Sequence, residues 1–299
     1  MGIELAGISW DPVVDYEALT EFPFMVNALQ AGTIVAVMAG AIGWFMVLRR
    51  QTFAGHTLSV TAFPGAAGAT LAGLPIACGY FGACAAAALV LAAVSRPGGR
   101  ARSSESAAIG TVQAFGLALG FLFVSLYSGQ LANLEALLFG TFLGITTGQV
   151  QTLAWIALAA LLVLAAIARP LLFASVDGTV ARAAGVPTRA LGVVFLLLLG
   201  LAVAATAEIT GALLVFALLV GPAATAQQIT ARPGPGLALA VALALAVTWI
   251  GLTIAYFSPY PVGFWVTSLS FGLYLAVRIL AAAAPSRPRA GARPQPEPA

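Results

Sequence analysis

Lysine is absent from this 299-residue chain, histidine occurs once, and cysteine occurs twice. Charged residues make up 8% of the sequence, whereas soluble domains carry about 25%. Each shortage excludes something. A phosphate-cradling P-loop needs a Lys to reach the β- and γ-phosphates, so the chain holds no nucleotide site of that type. Cys78 and Cys84 share one apolar run, have no metal-ligand spacing around them, and read as small packing residues. They also exclude a disulfide-stapled scaffold. With one His and ten acidic residues spread along the chain, no dense ligand cluster forms, which argues against a carrier built on several buried carboxylates. So few charges cannot wet a surface of this size. What is present is 61% hydrophobic residues and a mean hydropathy of +1.01, and the missing polar surface must face lipid. The expected class is all-α, a polytopic membrane helix bundle.

Apolar runs long enough to cross about 30 Å of hydrocarbon fall at Phe24–Leu48, Thr57–Leu74, Ile76–Val94, Ala107–Tyr127, Val150–Ala168, Ala190–Ala207, Ile209–Ile229, Gly236–Phe257 and Val262–Ala281. That is about nine spans. Several runs abut, so eight to ten fit the pattern. All 13 basic residues are Arg. With nine spans and the N-terminus outside, the Arg residues fall in the inner loops and the tail: Arg49, Arg50, Arg96, Arg100, Arg102, Arg169, Arg182, Arg189, Arg232, and Arg278 onwards. The opposite loops carry Asp11, Asp15, Glu17, Glu21 and Glu135. This positive-inside bias places the C-terminus in the cytoplasm. The expected division is an extracytoplasmic N-terminal segment over 1–23, a transmembrane domain over 24–281, and a Pro-rich, disordered cytoplasmic tail over 282–299. The opening MGIEL lacks a basic n-region and reads as a mature start.

Two segments are neither spans nor simple turns. Ser128–Gly148 on the outer side spaces Gly140, Gly144 and Gly148 four residues apart, a pattern that permits close helix approach. Two readings stand side by side there, lipid-facing packing or a partial helix closing an outer opening, with Phe139, Gly140 and Gly144 as gate candidates. Leu171–Arg189 on the inner side mixes Asp177, Arg182 and Arg189 with small residues, and Gly185-Val186-Pro187 breaks any helix there. Thr179–Ala184 is expected to form a short helix along the membrane face. The stretch is either a solvated loop or a docking surface. Two ionisable groups fall near the spans. Glu208, between the sixth and seventh runs, reads as a wet turn residue in preference to a buried one. His56, at the start of the second span, reads on its own as a helix-terminal polar group.

Four motifs, in order, carry a family resemblance. Phe45–Gly73 presents Arg49, Arg50, Phe53, Gly55, Leu58, Ser59, Pro64 and Gly65, similar to the basic pair, Phe-x-Gly-Asp-x-Leu-Ser-His-Ala turn and Pro-Gly of the metal-type ABC importer permeases. Leu134–Leu143 resembles that family's Leu-Phe-Gly segment, and Ser175–Pro187 its inner Asp-x-x-x-Ala-x-x-x-Gly segment. Gly211–Ala226 resembles its Gly-x-Leu-Leu…Pro-Ala-Ala-x-Ala run.

The resemblance implies a dimeric transmembrane domain in the cell membrane, multi-pass, bounding a central path. It implies cytoplasmic ABC ATPase subunits as partners and an extracytoplasmic metal-binding protein that delivers the substrate. The chain itself would be no enzyme and hold no cofactor, with ATP bound in the partner ATPase. Asp177, Arg182, Ala184 and Gly185 would receive ATPase motion, and the spans would reorient by alternating access. The substrate class would be a divalent transition metal, zinc or manganese. The departures fall on the ligands. The family's Asp is His56 here, its His one turn on is Val60, and its late Asp before x-Pro-x-Gly is Pro259. That leaves His56 as the metal-ligand candidate, an imidazole that suits zinc better than manganese. The competing expectations are a stand-alone secondary transporter driven by an ion gradient and a membrane scaffold without transport activity.

Overall fold

A computed structural model describes residues 22–94, 102–127 and 144–283. Phe139, Gly140, the N-terminal segment to residue 21 and the tail from residue 284 lie outside the described residues. Among those described the chain is helical throughout, with no strand. The helices are α1 (Pro23–Leu48), α2 (Thr52–Leu71), α3 (Ile76–Val94), α4 (Arg102–Leu126), α5 (Thr147–Val176), α6 (Gly178–Ala183), α7 (Thr188–Thr210), α8 (Ala212–Ile229), α9 (Pro233–Tyr256) and α10 (Val262–Ala283). Seven of them contain a stretch long and apolar enough to cross a membrane. Helix α2 is not among these, and the apolar helix over Leu214–Ile229 is shorter than the rest.

Helix α1 forms the centre. Of its apolar window 72% is buried, against 11% for α4 and α10 at the periphery. It packs against α9, α8, α5 and α7, and Met38, Ile42 and Met46 are fully enclosed. Helix α2 lies between α3, α4, α7 and α8. Its crossing with α3 is close because Gly65 and Gly79 face each other, and a Cβ on either would overlap the other's carbonyl oxygen. Small residues at such a crossing let the backbones meet, which matters in lipid, where packing rather than water expulsion holds helices together.

Hydroxyls are satisfied within their own helices. Thr33, Thr61, Thr70 and Thr225 each donate to the carbonyl one turn back, at 2.7, 2.7, 2.9 and 2.7 Å. Most Thr of the bundle are thereby paired in an apolar setting, with the buried Thr248 Oγ1 of α9 an exception. Polar ties between helices are few. Gln227 Nε2 of α8 donates to the Trp44 carbonyl of α1 at 2.8 Å, and Trp249 Nε1 of α9 donates to Thr33 Oγ1 at 2.9 Å.

Of the boundaries that differ from the sequence expectation, three bear on the candidate site. Helix α2 starts at Thr52 instead of Thr57, so the residues around His56 are helical. Helix α5 runs through Arg169-Pro170 to Val176 instead of ending at Ala168, and spans 30 residues. A Pro inside a membrane helix is tolerated when the freed groups find other partners, and Arg169 can extend its stem toward a polar surface. Helix α7 continues to Thr210, and the break before α8 is Gly211, with φ +78°. Glu208 therefore lies in the last turn of α7 and not in a turn between helices.

Candidate functional site

The segment after α5 is built by capping at both ends. Asp177 ends α5 in an extended conformation and caps α6, with Oδ1 accepting from Thr179 N at 2.9 Å and Val180 N at 3.0 Å. Such a side chain satisfies N–H groups that a helix start leaves without partners. Helix α6 seats Ala181 against the bundle at 0% exposure, while Val180 is 51% exposed. The expected helix over Thr179–Ala184 is thus present, shifted by one residue.

The helix closes with paired bonds. Val186 N donates to Ala181 O and Gly185 N to Arg182 O, both at 3.0 Å. Gly185 has φ +82° with nothing near where a Cβ would sit. This is the left-handed cap that favours glycine for conformation and not for space. Arg182, Ala184 and Gly185 are exposed, so the face between Asp177 and Pro187 points away from the bundle.

The same cap recurs after α1 without glycine. Arg50 N donates to Val47 O and Gln51 N to Met46 O, both at 3.0 Å, with Arg50 at φ 57°. The neighbouring Arg49 folds inward. Its guanidinium lies 5.3 Å from the Phe195 ring centroid, Nε donates to Gln51 Oε1 at 3.2 Å and a terminal nitrogen to Ser175 Oγ at 3.4 Å. These partners are neutral. Burial lowers its pKa, yet a guanidinium starts so high that it stays charged.

His56 lies on α2, and its ring meets Phe216 of α8 at 4.7 Å between centroids and 58° between planes. Its Nδ1 is buried without a hydrogen-bond partner. A buried imidazole nitrogen with no partner is a group available to a ligand. Val60 is one turn along the same helix, and both are half-buried on a helix otherwise mostly enclosed. Among the described residues no group of three or more His, Cys, Asp or Glu converges. Pro259 is exposed between α9 and α10. Gly144 is an exposed residue just before α5.

One feature goes unread in the sequence, and Glu208 reads there in preference as a wet turn residue. Phe216 supplies the wall of the His56 site, and no signal in the sequence pairs α8 with α2. Glu208 is half-buried and lines a cavity of about 320 Å³ with Thr146, Gln149 and Thr152. It lies within electrostatic reach of Tyr80.

The profile of the ABC 3 transport family matches residues 21–281. The chain belongs to that family. It is a multi-pass protein of the cell membrane. The chain is 29% identical over 217 residues to the manganese transport system membrane protein MntC of Halalkalibacterium halodurans, covering 73% of each chain. It is 32% identical to the chelated iron transport system membrane protein YfeC of Yersinia pestis, covering 71% of each. Among solved structures, PsaBC from Streptococcus pneumoniae in complex with Fab superposes with a TM-score of 0.78 at 25% identity, covering 89% of this chain and 94% of that one. The expected resemblance to metal-type ABC importer permeases is thereby met.

Proposed function

We propose that this chain is the permease subunit of an ATP-driven importer for a divalent transition metal. The observation that carries the reading is the exposed, rigidly capped segment Asp177–Pro187, on a chain of the ABC 3 transport family that itself lacks any P-loop Lys. Separate ABC ATPase subunits dock at Asp177, Arg182, Ala184 and Gly185, and a second permease subunit completes the path. A short helix held at its start by the Asp177 carboxylate and at its end by backbone bonds transmits a push without bending, which alternating access requires. An extracytoplasmic metal-binding protein delivers the ion from the opposite side.

Nine helices, α6 excepted, cross the membrane with the N-terminus outside and the C-terminus inside, in accord with the Arg distribution. The domain spans 24–281 between an extracytoplasmic start and a cytoplasmic tail. Manganese and iron are the metals named for the relatives. His56, with its unpartnered Nδ1 against Phe216, is the ligand this chain offers, and imidazole favours zinc or ferrous-type ions over manganese. No enzyme activity resides in the chain, and ATP is bound by the partner.

The test is co-purification followed by ATPase assay. The chain should bring down a P-loop ATPase, and that complex should hydrolyse ATP faster with zinc, manganese or ferrous ion and its delivery protein. Purification without any ATPase, together with metal uptake driven by an ion gradient alone, would favour the secondary-carrier reading. A cysteine at exposed Leu74 should react with an impermeant reagent from outside and one at Ala184 should not; the reverse pattern would overturn the orientation.

A further inference from the structure

Arg49, Arg182 and Arg189 come from three different elements, the end of α1, α6 and the start of α7, and line one cavity of about 250 Å³. None has a carboxylate partner among the described residues, and Asp177 is spent on capping α6. Arg49 is held in place by neutral groups only. Three cations converging without an acid leave a site that lacks its anion. Gln51 and Thr188 add polar groups to the same wall.

The opposite wall is apolar: Ala92 of α3 with Val193 and Leu196 of α7. It continues into exposed apolar surface, since Leu89, one turn before Ala92, is 53% exposed and Val194 is 38% exposed. The cavity thus joins a cationic end to an apolar groove between two helices whose length and composition suit a membrane. A ligand matching both halves carries an oxyanion and a hydrocarbon chain. Guanidinium forks suit phosphate oxygens in particular, and basic pockets between membrane helices take lipid head groups.

We propose that the Arg49–Arg182–Arg189 cavity binds the phosphate of an anionic phospholipid, with an acyl chain along the groove between α3 and α7. The bound lipid would tie the end of α1 and helix α6 to α7. The proposal needs α3 and α7 to cross a membrane but does not need the ATPase reading, and its test contains no ATPase.

The full chain is purified in dodecyl maltoside, stripped of lipid and titrated with phosphatidylglycerol, with retained lipid counted by native mass spectrometry. Diacylglycerol of the same chains lacks the phosphate, and inorganic phosphate lacks the chains. One phosphatidylglycerol should be retained at a concentration about tenfold below that needed for diacylglycerol. The double variant R49Q/R189Q should remove that preference. Because Arg49 stacks on Phe195, its loss can unfold the protein; Arg189→Gln alone, at an exposed position, should then weaken retention about fivefold. Equal retention of diacylglycerol overturns the proposal, as does unchanged phosphatidylglycerol retention in the folded variants. Displacement of the lipid by millimolar inorganic phosphate overturns the lipid as the source and makes this a soluble-phosphate site.

Discussion

The segment from Asp177 to Pro187 and the surroundings of His56 are built on opposite principles. The first is specified by caps: the Asp177 carboxylate starts a six-residue helix, and backbone bonds around a left-handed Gly185 close it. The second rests on one imidazole against one phenyl ring, with an orphaned nitrogen and no group of three or more His, Cys, Asp or Glu among the described residues. A device that transmits force needs rigidity, and rigidity is written in caps and turns. A path for a moving cation needs weak, replaceable ligands, since tight binding would stop release. The two regions therefore tolerate change differently.

That contrast predicts a graded series of effects. The largest belongs to Gly185→Leu. A branched side chain at φ +82° costs about 1–2 kcal/mol and opens the turn, so metal uptake should fall at least about tenfold while the chain still assembles in the membrane. Gly185→Asn, which adopts the left-handed region more readily, should keep most of the uptake. Normal uptake by well-expressed Gly185→Leu would break the comparison.

His56→Gln comes next. It keeps hydrogen-bonding ability and much of the size but is a poor metal ligand, so metal-stimulated ATPase activity should drop several-fold with the ATPase still bound. His56→Asp should move preference toward manganese. A His56→Gln protein that transports at the parent rate would leave the cation path without this residue.

Asp177→Ala should cost about 1 kcal/mol in the capping of α6 and reduce uptake partially, with Asp177→Asn close to the parent. The smallest effect is expected at Arg50, which occupies the left-handed position at φ 57° where Gly185 stands in the other cap. Arg50→Gly should relieve about 1 kcal/mol of strain and raise the thermal midpoint by about 2–4 °C. A lower midpoint would mean that the guanidinium of Arg50 matters more than its backbone.

The same contrast explains what was legible in the sequence. Apolar run length locates the helices: the expected runs are mostly helical and seven helices are long and apolar enough to cross a membrane, because a helix is the only open segment that satisfies its own backbone in lipid. The errors sit where local signals compete. Arg169-Pro170 reads as a stop, yet α5 continues because packing outweighs one lost hydrogen bond. Ala207-Glu208 reads as a break, yet the conformational break is Gly211, three residues later. Helix α6 was legible within one residue because Asp177 and Gly185 are strong local signals. The wall supplied by Phe216 was not legible, since nothing in a sequence states that residue 216 meets residue 56. Nor was the inward fold of Arg49, whose charge in the sequence marks only sidedness.

The most direct test of the central claim is a cross-link from Ala184→Cys, an exposed position at the end of α6, in a chain whose Cys78 and Cys84 have been replaced. Reconstituted with its ATPase, this chain should cross-link to the ATPase subunit, with a yield that changes on adding ATP, while Leu74→Cys should give no such product. Absence of a cross-link from residue 184 in an active complex would contradict docking at this segment.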